Sequence, residues 1–189
     1  APNEAEAEYL RRALTGELDA FNGLVELHQR AVYNLCLRMV GTPAAAEDAT
    51  QDAFLAAYRK IRSFRGQSFR AWLMRIAANG CIDELRRRAR RPALSLDAPP
   101  PGSDDPPDPH DRAPGPEVEA LRAEQRGIVQ AALLRLPQDQ RLAVVLCDMQ
   151  GYAYEEIAEA TSVSIGTVKS RISRGRERLR VILREEGNK

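Results

Sequence analysis

The chain has 189 residues, with 28 Lys+Arg against 27 Asp+Glu and a formal net charge of +1, so bulk charge selects no partner and the length suits one or two small domains. No apolar run approaches the roughly 18 residues a membrane-spanning helix needs. Ala1–Arg12 carries neither the basic start nor the apolar centre of a secretory signal, which predicts a cytoplasmic protein without membrane insertion. Cys36, Cys81 and Cys147 are odd in number, far apart and set in apolar helical patterns. They predict neither a disulfide framework nor a structural metal, and each reads as a small buried hydrophobe; no cofactor is expected.

Charge is unevenly spread. Residues 1–91 carry +4, 92–119 carry −6 and 120–189 carry +3. Nine of the twelve prolines and five aspartates fall between Pro92 and Pro116. Such a stretch buries too little apolar surface to offset ordering, so it reads as an extended acidic tether. The predicted organisation is a domain over 1–91, a linker over 92–119 and a second domain over 120–189.

In chain order, Phe21, Val25, His28, Val32, Leu35 and Met39 step by alternating fours and threes, one stripe of an amphipathic helix that Gly41 ends. Thr42-Pro43 starts the next helix, about 43–61, with proline at its first position. A break at Ser63–Gln67 follows, and Ser68 caps a third helix over about 69–90. Further helices are predicted near 117–135, halted by Leu136-Pro137, and over about 138–149, stopped by Gly151. Two short helices then flank a sharp turn between Thr161 and Ser164. No period-two run of β-branched residues occurs, so the fold class is all-α: two small helical domains joined by a flexible linker.

The segment Tyr152–Leu179 has the order of a helix-turn-helix. Ile157 and Val163 point inward, Ser164 caps the second helix, and Val168, Ile172, Gly175 and Leu179 form its core stripe. The opposite side exposes Thr167, Ser170, Arg171 and Arg174, with Lys169, Ser173 and Arg176 on the flanks. Arg and Lys on such a helix read guanine edges in the major groove, while hydroxyls meet bases or phosphates. Residues 167–184 hold seven basic groups against one acid, so phosphate contacts accompany that geometry. A solvated basic helix would explain the charges but not the helix, turn and cap order.

Between Arg59 and Arg91 lie eleven Lys/Arg and two acids, interleaved with Phe64, Phe69 and Trp72. Aromatics set among arginines suit unpaired nucleic acid, because bases stack on rings while guanidinium groups hold the backbone. Phe64 and Gln67, in the loop, are read as nucleic-acid contacts; Phe69 and Trp72 fit plain core packing as well as stacking. Asn79 falls on the same helical side as Trp72, Ile76 and Asp83, and its amide can meet a base edge with both donor and acceptor. Asp48, Gln51, Asp52 and Leu55 form an acidic face that DNA would repel, leaving a solvated surface or a protein-docking one.

Three stretches in this order resemble bacterial sigma factors of the extracytoplasmic-function (ECF) group. They are EDATQDAF (Glu47–Phe54), SFRGQSFRAWLMRIAANGCIDELRRRAR (Ser63–Arg90) and the helix-turn-helix ending GTVKSRISRGRERL. The resemblance implies two domains, called regions two and four, and a promoter-specificity subunit without catalysis of its own. It implies that Asp48, Gln51, Asp52 and Leu55 grip core RNA polymerase. Phe64, Arg65, Gln67, Ser68, Trp72, Asn79, Asp83, Arg86 and Arg87 would recognise and melt the minus-ten element and hold a flipped base of the nontemplate strand. Thr167, Lys169, Ser170, Arg171 and Arg174, with Arg176 beside them, would read the minus-thirty-five element. It further implies a sequestering anti-sigma factor as partner. Two other classes compete. A free-standing helix-turn-helix regulator would dimerise on a palindrome and leave the acidic face unexplained. A nucleic-acid-processing enzyme would need a nucleophile–base or paired-carboxylate arrangement, whereas His28 and His110 stand far apart.

Overall fold

The computed structural model describes residues 4–66, 68–90 and 116–187, with the side chains of 116–120 and 187 left aside. Among these residues the chain forms eight α-helices and no strand. Residues 92–115 of the predicted linker and Gln67 lie outside the described residues, whereas 116–119, also assigned to the linker, already belong to a helix.

The first helix, α1 (Glu4–Thr15), was not anticipated from the sequence. Glu4 and Glu6 sit in its first turn and Arg12 in its last, which suits the helix dipole. Ala13 is buried, and Tyr9 packs so close to Gly23 of the next helix that a Cβ there would stand 2.7 Å from the ring. Helix α2 (Leu18–Val40) carries the predicted stripe: Phe21, His28, Val32, Leu35 and Met39 are buried, and Val25 is half-buried. It ends at Gly41, whose φ of 92° is left-handed and whose N–H returns to Leu37 O. Helix α3 (Pro43–Lys60) starts on its proline and runs into a 3-10 turn at Ile61–Ser63. Helix α4 (Phe69–Arg90) is capped by Ser68, whose Oγ accepts from Ala71 N at 3.1 Å. Leu24, Leu35, Met39, Leu73 and Met74 are fully buried where α2 and α4 meet the rest of the core. Each such side chain contributes about 1.5–3 kcal/mol relative to exposure.

The C-terminal helices are α5 (Pro116–Leu134), α6 (Gln138–Val144), α7 (Tyr154–Thr161) and α8 (Ile165–Gly187). The predicted helix over 138–149 is α6 extended by a π turn at Val145–Met149. The predicted second short helix is instead 23 residues long. Val168 and Ile172 are buried as the stripe requires, and Gly175 lets α8 lie directly on α6: a Cβ would stand 2.6 Å from Val144 Cγ2. Below the turn that follows Leu179, Ile182 continues the buried side.

The two helical groups pack on each other, with α4 against α7 and α2 against α5 and α6, and their buried residues form one continuous core. Cys36 and Cys81 are fully buried in it, whereas Cys147 is half-buried. Among the described residues no helix is long and apolar enough to cross a membrane.

Candidate nucleic-acid interface

The loop after the 3-10 turn, the first turns of α4 and Glu159 of α7 enclose a cavity of about 260 Å³ lined also by Ser63, Arg65, Gly66, Ala71, Trp72 and Arg75. Trp72 is the one aromatic in the lining, and two phenylalanines pack behind it. Phe64, Phe69 and Trp72 pack as a cluster with centroids 5.3–5.9 Å apart. Phe64, read from the sequence as a base contact, is only 6% exposed: its ring is turned under the loop, where burying it is worth more than leaving it in water. Trp72 is half-buried and is the aromatic that lines the cavity. Arg65 donates from Nη1 to the main-chain oxygens of Arg62 and Phe64, both at 2.8 Å, so its guanidinium staples the loop as well as walling the cavity. Ser68 is occupied as the α4 cap. Arg75 was missed by sequence reasoning; its signal was its position three residues after Trp72, on the same helical side.

Further along α4, Asn79 is exposed on the outer face and Asp83 lies 3.6 Å from Arg86. Asp83 and Arg87 also line a second cavity, a groove of about 430 Å³ between α3 and α4 shared with Asp48, Gln51, Asp52 and Glu84. The structure therefore brings two residues read as minus-ten contacts onto the acidic face. Arg87 and Arg88 both converge on Glu84, at 2.5 and 2.8 Å, and hold its carboxyl below the usual carboxylate range, Arg88 most strongly. Leu55, on the same helix as Asp48 and Asp52, is 52% exposed.

The helix-turn-helix is built as its spacing predicts. Ala153 N donates to the Glu156 carboxylate at 2.8 Å at the start of α7. Ser162 takes the left-handed turn at φ 55°, and Ile157, Ala160, Val168 and Ile172 fill the angle between α7 and α8. Ser164 Oγ accepts from Thr167 N at 3.2 Å and pairs with the Thr167 hydroxyl at 2.9 Å, while Ser170 Oγ donates back to Thr167 O. Lys169, Ser173 and Arg174 stand exposed. Two of the predicted readers are engaged within the protein. Arg171 pairs with Asp139 at 3.1 Å, and Arg176 pairs with Asp148, its Nε donating at 3.0 Å to Oδ2. The hydrogen bond from Arg176 keeps the Asp148 carboxyl below its ordinary range. Among the described residues no group of three His, Cys, Asp or Glu side chains is placed to hold a metal.

The amino-acid pattern matches the sigma-70 region 2 family over residues 24–91 and the sigma-70 region 4 family over residues 126–179. The chain belongs to the ECF sigma factors. It is similar to the ECF RNA polymerase sigma factor SigW of Bacillus subtilis, at 37% identity over 93% of this chain and 95% of that one. To the ECF RNA polymerase sigma-E factor of Escherichia coli the identity is 39%, over 89% of this chain and 88% of that one. SigE of Mycolicibacterium smegmatis is 38% identical over 86% of this chain, which spans 61% of that longer relative. Among solved structures, the sigma factor is similar to RpoE of Bartonella quintana in complex with the anti-sigma factor NepR, at TM-score 0.68, 27% identity, and coverage of 88% of this chain and 98% of that one. It is similar also to CnrH in complex with the cytosolic domain of CnrY, at TM-score 0.67, 26% identity, and coverage of 96% and 99%.

Proposed function

We propose that this sigma factor joins core RNA polymerase through the α3–α4 groove, traps a separated promoter strand in the loop–α4 cavity, and anchors on the upstream duplex through α8. The observation that carries the reading is the cavity itself: a half-buried tryptophan, two arginines and a glycine loop at the head of a basic helix. A stacked base is worth roughly 1–3 kcal/mol, which offsets the few kcal/mol of unpairing that strand capture costs. Exposed Lys169 and Arg174 carry the duplex contacts, with half-buried Thr167 and Ser170 beside them, whose hydroxyls are bonded within the helix start.

Asp48, Gln51, Asp52, Asp83 and exposed Leu55 suit a basic protein surface with an apolar anchor, not DNA. Neither DNA module alone holds a promoter tightly; binding to one promoter makes the second contact intramolecular. The protein acts in the cytoplasm without catalysis or cofactor, as a specificity subunit. A sequestering anti-sigma protein is its expected regulator, by likeness to the sigma factor RpoE solved with the anti-sigma factor NepR.

In vitro transcription with bacterial core polymerase tests this. The chain should direct initiation at a two-element promoter. Asp48→Arg/Asp52→Arg should abolish polymerase binding, whereas Arg75→Ala should leave it intact and slow promoter opening, seen as lost permanganate reactivity of unpaired thymines. Occupancy of a palindrome as a symmetric dimer, with no response to polymerase, would refute it.

A further inference from the structure

Arg171 and Arg176 each carry an ion pair on α8, but the two pairs are built differently. Arg176 gives Asp148 both its Nε, at 3.0 Å, and its Nη2, so two oxygens close one edge of that guanidinium. Arg171 meets Asp139 at Nε, 3.1 Å from Oδ2, and Asp139 is its one partner among the described residues. Nε is the nitrogen nearest the main chain. A carboxylate placed there sets the direction of the guanidinium and leaves its far end, the two Nη groups, to a ligand.

Asp139 is itself held in place. It lies in the first turn of α6, where a carboxylate suits the helix dipole. Its neighbour Gln140 is buried against α8, and the Gln140 main-chain oxygen would stand 3.2 Å from a Cβ on Gly175, one turn beyond Arg171. Acid and arginine therefore project from two helices in direct main-chain contact. Their side chains are 49% and 28% exposed, so the pair lies at the rim of the recognition helix and not in the core.

We infer that Asp139 is a positioning residue for duplex recognition: it aims the Nη pair of Arg171 at O6 and N7 of a guanine in the major groove. The inference rests on the reading of α8 as the duplex-binding helix. An arginine on a free stem loses rotamer freedom when it docks on a base, and one already aimed loses less. Charge separates its task from that of its neighbours. Arg171 and Asp139 together are neutral, so the pair adds little to the general attraction for phosphate. Exposed Lys169 and Arg174 supply that attraction instead. The contribution of Arg171 is discrimination, where a bidentate guanine contact is worth about ten-fold or more.

Holoenzyme assembled from bacterial core polymerase and the full chain is incubated with a pool of randomised duplexes, and the bound sequences give base preference by position. Wild type is compared with Arg171→Ala, Asp139→Ala, Asp139→Asn and the double variant Asp139→Ala/Arg171→Ala. One guanine preference of about ten-fold should vanish in Arg171→Ala and fall to about two-fold in Asp139→Ala, with other positions unchanged. Asp139→Asn should keep part of it, because an amide oxygen still accepts from Nε. The double variant should lose no more than Arg171→Ala alone. Affinity is then measured on the selected duplex and on its copy with adenine for that guanine. Asp139→Ala should bind the guanine duplex more weakly than wild type but the adenine duplex at least as well, since a negative charge has left the interface; a damaged fold would lower both. A guanine preference that needs Arg171 yet survives in Asp139→Ala overturns the positioning role and leaves duplex reading by α8 standing. So does a loss in Asp139→Ala spread over every position and both duplexes, or a preference that answers to Lys169→Ala or Arg174→Ala but not to Arg171→Ala. Preferences and affinities that ignore all three of these basic side chains overturn duplex reading by α8, and the inference with it.

Discussion

Arg141 on α6 donates to the main-chain oxygen of Met39, 102 residues earlier in the chain, at 2.5 Å, while its second terminal nitrogen holds the oxygens of Leu134 and Leu136 at 2.7 and 3.2 Å. The side chain is 5% exposed, and burial pushes its pKa down from the usual arginine value. One guanidinium therefore satisfies the carbonyl ends of α5 and α2 at once, at the seam between the two helical groups. Helix C-termini leave such oxygens without partners, and they carry the negative end of the dipole.

Removing this fork leaves three buried acceptors unmet. Arg141→Met should lower stability by about 2–4 kcal/mol in urea unfolding. Arg141→Lys should recover little, because an ammonium on a flexible stem cannot span the three directions of the fork. An unfolding midpoint indistinguishable from wild type would contradict the assignment.

Gly175 predicts a second stability effect. A methyl there meets Val144 Cγ2 at 2.6 Å and Gln140 O at 3.2 Å, a collision with α6 that outweighs alanine's better helix propensity. Gly175→Ala should destabilise by about 1–3 kcal/mol. Pairing it with Val144→Ala should recover part of that loss, and a double-mutant cycle without coupling would locate the strain elsewhere.

On α8 the ion pairs sort the arginines. Arg174→Ala should weaken duplex binding and reduce the slope of log affinity against log salt by about 1. Arg176→Ala should change that slope less, since its guanidinium already serves Asp148. Asp148→Asn releases Arg176 and should steepen the salt dependence. Equal slopes for the two alanine variants would show that the Asp148 pair opens on DNA.

His28 gives the stability a pH dependence. It is 7% exposed beside Phe69, its Nε2 lies 3.5 Å from Glu6, and Arg70 opposes its protonation. Burial is the largest cause that lowers its pKa below the ordinary 6.5, with Glu6 acting the other way. The unfolded chain therefore binds a proton that the folded one refuses, and stability is full above the unfolded pKa. It should fall as pH drops below about 6.5 and level off only once the folded histidine also protonates. His28→Asn should flatten this limb of the pH profile, measured by thermal unfolding between pH 7.5 and 5.

Much of this was legible residue by residue. The α2 stripe, the Gly41 stop, the Pro43 start, the Ser68 and Ser164 caps and the inward Val168 and Ile172 are all local patterns, and each stands where its spacing put it. That the Phe64 ring is buried was not legible, because aromatic character in a glycine-containing loop does not say which way a ring turns. Helix α1 was missed because its only buried residue is an alanine, with a half-buried tyrosine packed on Gly23, a weak stripe beside abundant charge.

Periodicity along the chain thus determined the helices, their caps and the helix-turn-helix, because those depend on contacts within a turn or two, and three motifs in order carried the resemblance to sigma factors. Only the folded chain decided which arginines stay outward, that Asp83 and Arg87 join the α3–α4 groove, and that Glu159 reaches the cavity beside Trp72. Asp148 lies 28 residues from Arg176 and Gln130 lies 93 from Leu37. Charge satisfaction and close packing at such separations follow from three-dimensional proximity, which local spacing does not record.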